Sequence, residues 1–288
     1  MRERIRRIGC YFITPARAFS AADSRGDIMG GVMNKTGTFK YGEMRVFVHP
    51  DIKAMGRASA AQVAGILIEA VRARGEAGAI FASANSQVDF LVSLRETPGI
   101  PWNRITIFHM DEYLGMSETH PASFRRFLKE QLVAFVKPRE FHGIRAESAN
   151  IGEELDRYSR LLERARPDLC VLGIGENGHL AFNDPPADFE TKNTIHLVAL
   201  DEKCRNQQVS EGHYPSLAAV PTQAVSLTIP ALLKPTFVVG VVPELRKAEP
   251  VRAALEGPVS PSCPASILRT RANVTLYLDS DSASLLKE

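Results

Sequence analysis

Three short stretches of this chain hold residues able to do chemistry, and each begins where an apolar run ends. In "DLCVLGIGENGHLAFNDPP", Asp168 to Pro186, the run Leu169 to Leu172 meets three glycines, and His179 then stands five residues before Asp184. Imidazole is the natural proton shuttle near neutral pH, and a nearby carboxylate fixes its tautomer and stabilises its charged form. In "FHMDEYLG", Asp111 and Glu112 follow the run that ends at Met110. Adjacent side chains alternate faces on an extended chain, so one carboxylate can face a pocket while the other bonds backbone. The alternative is a solvated pair capping the next turn. In "FASANSQVDF", Ser83, Asn85 and Ser86 precede a helical pattern, where free N–H groups and the helix dipole suit an anion. Ordinary N-capping by Ser86 is the alternative there.

The stretch Gly173-Ile174-Gly175-Glu176-Asn177-Gly178 spells G-x-G-x-x-G. A dinucleotide loop with that spelling needs a helix directly after it, to face the pyrophosphate. Pro185 and Pro186 leave room for no more than one helical turn, so the glycines serve another purpose. The 83–87 loop lacks the lysine spacing of a nucleotide P-loop. His109, Asp111 and Glu112 could be read as metal ligands, but no second compact ligand cluster accompanies them, and no metal is expected.

The elements that must position these loops alternate. "MRVFVH" from Met44 reads as a strand, and "AAQVAGILIEAVRARG" as a helix ending at Gly75. "AGAIFA" is a second strand, with a helix from near Val88. Arg104 to Met110 is a third, and "PASFRRFLKEQLVAFV" a helix with Pro121 in its first turn. "GEELDRYSRLLERA" is helical and feeds the strand at Leu169. Then come β-rich "NTIHLVAL", "AVSLTI", "TFVVGVV" and "NVTLYLD", with helical "LRKAEPVRAALEG" between the last two. Pro250 either kinks that helix or marks its true start. This alternation predicts one α/β domain over 44–288, a Rossmann-like three-layer α/β/α sandwich with a mostly parallel central sheet.

The composition agrees. The 288 residues are 44% hydrophobic and 24% charged, enough for a full core. A formal charge of +2 does not argue for nucleic acid, and no apolar run reaches the ~20 residues of a membrane span. The four cysteines form no C-x-x-C pair, which fits reduced thiols in a cytoplasmic protein. Residues 1–43, basic and then glycine-rich without a period, read as a disordered extension or as the product of a start upstream of Met29, Met33 or Met44.

Taken together, "FHMDEYLGMSETHPASFRRFL" and "LGIGENGHLAFNDPP", with "LTIPALL" and "RKAEPVRAALEG" in order behind them, resemble the glucosamine-6-phosphate deaminase (isomerase) family. That family is related in fold to 6-phosphogluconolactonases. The resemblance spans Met44 to Asp279. It implies conversion of an amino-sugar phosphate to fructose 6-phosphate and ammonia, without metal or organic cofactor. It makes Asp111 the base that takes the C2 proton and returns it at C1. It makes His179 the residue that opens the sugar ring, with Asp184 as its acidic partner, where a glutamate is usual. Lys247 matches the phosphate-binding lysine, and Ser83, Asn85, Ser86 and Gln87 the phosphate cradle. The family includes monomers and larger assemblies, so a homo-oligomer is compatible with the resemblance.

Four positions depart from the family pattern. Asn177 stands where an acid usually joins the histidine's network, and the cradle lacks its usual two glycines. An arginine expected after "DEKCRNQQ" falls on Gln208, with Arg205 one helical turn earlier as the substitute. The basic residues of allosteric members fall near Thr194 and His196, so no such activation is expected. The polar stretch from "PPADFETKNT" to "EGHYPS" has the composition of mobile cover. A lactonase shares the resemblance but needs no C2 base, which leaves Asp111 without a task. A non-catalytic sugar-phosphate sensor would not need Asp111, His179 and Asp184 together.

Overall fold

The computed structural model describes residues 36–287, which fall within one compact unit. In chain order its strands are β1 (Gly37–Tyr41), β2 (Met44–His49), β3 (Ala77–Phe81), β4 (Ile105–His109), β5 (Asp111–Tyr113) and β6 (Glu140–His142). There follow β7 (Leu169–Leu172), β8 (Ile195–Ala199), β9 (Gln223–Leu227), β10 (Phe237–Val242) and β11 (Val274–Asp279). The first helices are α1 (Ile52–Arg74), α2 (Val88–Glu96) and α3 (Phe124–Leu128), which runs through a π-turn (Lys129–Val133) into α4 (Ala134–Val136). The remaining helices are α5 (Ile151–Ala165), α6 (Glu202–Ser210), α7 (Ile229–Leu233) and α8 (Ala248–Glu256).

Strands β3, β4, β7 and β10 are apolar along most of their length, and such strands must be covered on both faces. They sit side by side in the eight-stranded order β1-β2-β11-β10-β7-β3-β4-β6, all parallel except the β1–β2 pair. The period-two alternation sorts their side chains. Ala79, Phe81, Leu169, Val171, Val239 and Val241 pack with α1 and α2 through Val63, Leu67, Phe90 and Leu94. Ile80, Cys170, Leu172, Val238 and Val242 pack on the opposite face with Tyr158 and Leu162 of α5 and Val251 and Leu255 of α8. The expected three layers follow from that sorting.

Two expectations need correction. Strands β8 and β9 do not join the parallel sheet; they pair antiparallel with β5 in a separate three-stranded sheet, β5-β9-β8. The ordered fold also begins before Met44, because β1 turns through Gly42 and Glu43 to pair with β2. Gly42 has φ +59, and a Cβ there would collide with the Arg269 carbonyl. Residues 1–35, with the expected extension and the alternative starts at Met29 and Met33, lie outside the described residues. Among the described residues no helix is long and apolar enough to cross a membrane.

Helix ends are set locally. Asp51 caps α1 by accepting from the Ala54 N–H, and Gly75 ends it in the left-handed conformation. Ser123 caps α3, so Pro121 precedes that helix instead of opening it. Pro250 lies in the first turn of α8, where a missing N–H costs nothing; of the two expectations for it, the true start holds.

Glu112 ties these pieces together. Its buried carboxylate accepts from the Tyr113, Phe124 and Arg125 N–H groups at 3.1, 3.2 and 3.0 Å and from the Ser123 hydroxyl at 2.8 Å. It is the alternative in which one acid of the pair bonds backbone. Glu112→Gln keeps the shape but turns an NH2 toward these donors. Leaving one or two of them unpaired costs about 1–3 kcal/mol each, so the thermal midpoint of Glu112→Gln should fall by several degrees. An unchanged midpoint in a calorimetric scan would remove Glu112 from this role.

Candidate active site

The loops that follow β3, β4, β7 and β10 all leave the carboxyl edge of the sheet, and those four strands are neighbours in the order β10-β7-β3-β4. Chain order reverses between β7 and β3, and open parallel sheets bind ligands at the carboxyl ends of the strands at such a point. A cleft opens there. Ser83, Ala84 and Ser86 come from the loop after β3, Asp111 from the start of β5, Gly173, Gly175 and His179 from the loop after β7, and Lys247 from the loop after β10. Three regions of sequence expected to do chemistry, and the lysine, therefore share one cleft.

Asp111 is buried, and its register opposite Ser226 of β9 holds its backbone in the second sheet. Burial first, and then the neighbouring Glu112 charge, push its carboxyl well above the usual carboxylate range. His109 takes no part in the cleft. It is fully buried, its Nε2 accepts from the Ile144 N–H at 2.7 Å, and burial lowers it to about 3, so it stays neutral.

His179 Nδ1 lies 3.2 Å from Asp184 Oδ1. Asp184 also accepts from the Asn177 amide at 2.9 Å and from the Asp201 N–H at 3.0 Å. Burial alone would raise this carboxyl, but the bond to His179, its charge and these two donors hold it below the usual range. Asn177 Oδ1 accepts from the His179 N–H at 3.1 Å, so the amide braces the loop as well as the acid.

The three glycines have distinct tasks. A Cβ on Gly173 would press the Gln87 amide, and Gly178 has φ +83. The His179 imidazole lies across Gly175, where any Cβ would collide with the ring. None of the three cradles a phosphate diester through a following helix.

Lys247 is buried in the cleft. Burial first, and then the Arg246 charge, lower it to about 8, against opposing pulls from Glu211, Glu176 and Glu244. Arg246 itself bonds Glu244, Glu176 at 3.1 Å and Glu211 at 2.5 Å. Ser83 Oγ and Gln208 Oε1 are buried without a protein hydrogen-bond partner, groups that a polar ligand could satisfy.

Not every expected residue reaches the cleft. Arg205 does not replace the missing arginine; its guanidinium donates to the Leu217 and Val220 carbonyls at 2.6 and 3.0 Å. Gln87 points behind the loop and donates to the Val241 carbonyl at 2.9 Å. Asn85 stands outside the lining and meets His213, which lines the cleft, at 3.1 Å. His196 is held by Asn183 at 3.1 Å. Gln207, Gln208, Glu211 and His213 cover one side of the cleft from α6 and the turn after it. Of these, Gln207, Glu211 and His213 were not anticipated. The N-cap pattern Asp201–Glu202 before a polar helix was the available signal for them.

Among the described residues one group could hold a metal: His179, Asp184 and Cys204, whose donor atoms lie within 4.8 Å of one another. Burial first, and then the Asp184 and Asp201 charges, push the Cys204 thiol up, away from the thiolate a metal requires.

The sequence of residues 50–277 matches the family model described as glucosamine-6-phosphate isomerases/6-phosphogluconolactonase. A glucosamine-6-phosphate deaminase of Exiguobacterium sibiricum is 37% identical over 184 residues, 64% of this chain and 71% of that one. One from Streptococcus pneumoniae is 30% identical over 237 residues, 82% and 99% of the two chains. A solved monomeric glucosamine-6-phosphate deaminase superposes with TM-score 0.77 at 26% identity, covering 84% of this chain and 99% of the other. A 6-phosphogluconolactonase from Thermotoga maritima shares the fold at TM-score 0.67 and 18% identity, covering 82% and 99%.

The packing of the imidazole on Gly175 yields a direct check. Gly175→Ala must displace the ring, and a shift of about 1 Å at a reacting group can cost ~100-fold in rate. Its kcat should fall by about that factor with a near-native thermal midpoint, whereas full activity would mean that the ring is not the working group.

Proposed function

The chain belongs to the glucosamine-6-phosphate isomerase/6-phosphogluconolactonase family, and we propose that it converts an amino-sugar 6-phosphate and water to fructose 6-phosphate and ammonia. The observation that carries this is the entry of Asp111 and His179 into one cleft from separate loops. A proton at C2 of an open-chain amino sugar is acidified by the C1 aldehyde. Removing it, and returning it at C1, moves the carbonyl equivalent to C2 as an imine; water adds there and ammonia leaves. One positioned carboxylate can serve both carbons, and Asp111, raised by burial, is a stronger base than a solvated aspartate.

The sugar arrives as a ring, so a proton must leave the C1 hydroxyl and reach the ring oxygen. His179 does this in the proposal, with Asp184 holding Nδ1 and leaving Nε2 for the substrate. The phosphate sits against Ser83, Ser86 and Lys247, near the start of the helical segment that leads into α2. A lactonase in the same fold would take no proton from C2, which would leave Asp111 without that task.

Purified protein should release ammonia from glucosamine 6-phosphate or galactosamine 6-phosphate. Asp111→Asn should abolish release while the variant still binds the sugar phosphate, seen as thermal protection. Silence of the wild-type protein on both sugars, with hydrolysis of 6-phosphogluconolactone, would replace this proposal by the lactonase.

The pH profile follows from the same groups. Asp111 acts ionised, so kcat/KM should rise with pH through a limb above the ordinary aspartate value of about 4. Lys247 is charged below about 8, so KM should climb once pH passes that value. A profile measured from about pH 5 to about pH 9.5 separates the two, and a flat KM would remove Lys247 from the phosphate site.

A further inference from the structure

Asn177 is placed between two carboxylates, and both lie within hydrogen-bond reach of the same NH2 group. Its Nδ2 is 2.9 Å from Asp184 Oδ1 and 2.8 Å from Asp201 Oδ2. An amide nitrogen has two protons, so a single Asn satisfies both acceptors at once. The other carboxylate oxygen of Asp201 accepts from the Cys204 N–H at 2.6 Å and caps α6. The Asp201 backbone N–H in turn donates to Asp184 Oδ2 at 3.0 Å. Asp201 therefore touches Asp184 through its backbone and Asn177 through its side chain.

We infer that Asp201 is a positioning residue for the His179–Asp184 pair, acting through Asn177, and that the amide at 177 is required by Asp201. An amide can sit either way round, and its neighbours choose. With Asp201 accepting, the nitrogen faces the two acids and the oxygen faces the His179 N–H. That orientation supplies Asp184 with its second side-chain donor. A carboxylate at 177 would face both acids at these two distances, with no proton to share with either. The inference rests on the proposed reaction for its catalytic consequence and on geometry alone for the pairing.

The experiment is a set of three variants, Asn177→Asp, Asp201→Asn and the double variant. Like charges in contact disfavour ionisation strongly, so Asn177→Asp should lose about ten-fold or more in kcat with little change in KM. Asp201→Asn keeps a good helix cap but turns one amide donor toward another, and kcat should fall as well. The double variant gives position 177 an amide donor from position 201 but leaves the new carboxylate beside Asp184, so kcat should recover part of the loss and exceed that of Asn177→Asp, a recovery that independent sites would not show. Asn177→Asp at the wild-type rate, or a double variant no faster than Asn177→Asp, would overturn the inference. If the wild-type protein releases no ammonia at all, the proposed reaction fails instead, and thermal midpoints of the same variants decide the pairing. A midpoint lost in Asn177→Asp and regained in the double variant supports it; no recovery overturns it.

Discussion

The placement of Asp111 in the cleft depends on a carboxylate that never enters it. Glu112 gathers four donors, from its own strand and from the first turn of α3, and so pins the short strand β5 against the start of that helix. Side chains alternate along a strand, and anchoring Glu112 inward to α3 leaves Asp111 to the opposite side, where the cleft lies. The same anchor sets Phe124 against Tyr113 and Phe182, with ring centroids 5.1 and 5.6 Å from Phe124. Phe182 belongs to the loop that carries His179. Its N–H donates to Ser226, which pairs with Asp111 in the second sheet. Asp111 and His179 are thus referenced to one packed patch, although they are far apart in sequence.

Burial in that cleft works on opposite charges in opposite ways. It raises the carboxyl of Asp111 and lowers the ammonium of Lys247, because the charged form of each loses water. Both groups move from the extremes of the pH scale toward neutrality, where proton transfer is most effective. Asp184, less completely removed from water, goes the other way because His179, the Asn177 amide and the Asp201 N–H hold its charge. One enclosure thus pushes two aspartates in opposite directions.

Much of this was readable from residue order. The apolar strands that end at Phe81, His109 and Leu172 and the loops after them were visible as runs followed by small or polar residues, and those loops converge as a parallel sheet requires. Strand β1 was not visible, because an exposed edge strand buries no alternating face and leaves no period to detect. Strands β8 and β9 were recognisable as strands, but their sheet was not, since partner choice is a tertiary property. Arg205 shows the limit most clearly: one helical turn is the right spacing for a substitute, yet the carbonyls of Leu217 and Val220 claim the guanidinium first. Asp201, Glu211 and His213 escaped notice because the residues they meet, Asn177, Arg246 and Asn85, are distant in sequence.

The two departures nearest the chemistry have compensations of different kinds. At 177 the amide replaces an acid, and a second acid, Asp201, stands where it can use the amide's spare proton. Asp184 accepts from this amide and from the Asp201 N–H. At 208 glutamine replaces the expected arginine, and no guanidinium among the described residues takes its place in the cleft lining. Arg246 is adjacent, but its charge is committed to Glu176, Glu211 and Glu244. Recognition of a phosphate here would rest on Lys247, hydroxyls and backbone N–H groups, with less positive charge than two cations provide. Hydroxyls and N–H groups read shape and hydrogen bonding where a guanidinium supplies raw attraction. The same cleft would then bind its ligand less tightly through charge and discriminate it more through fit.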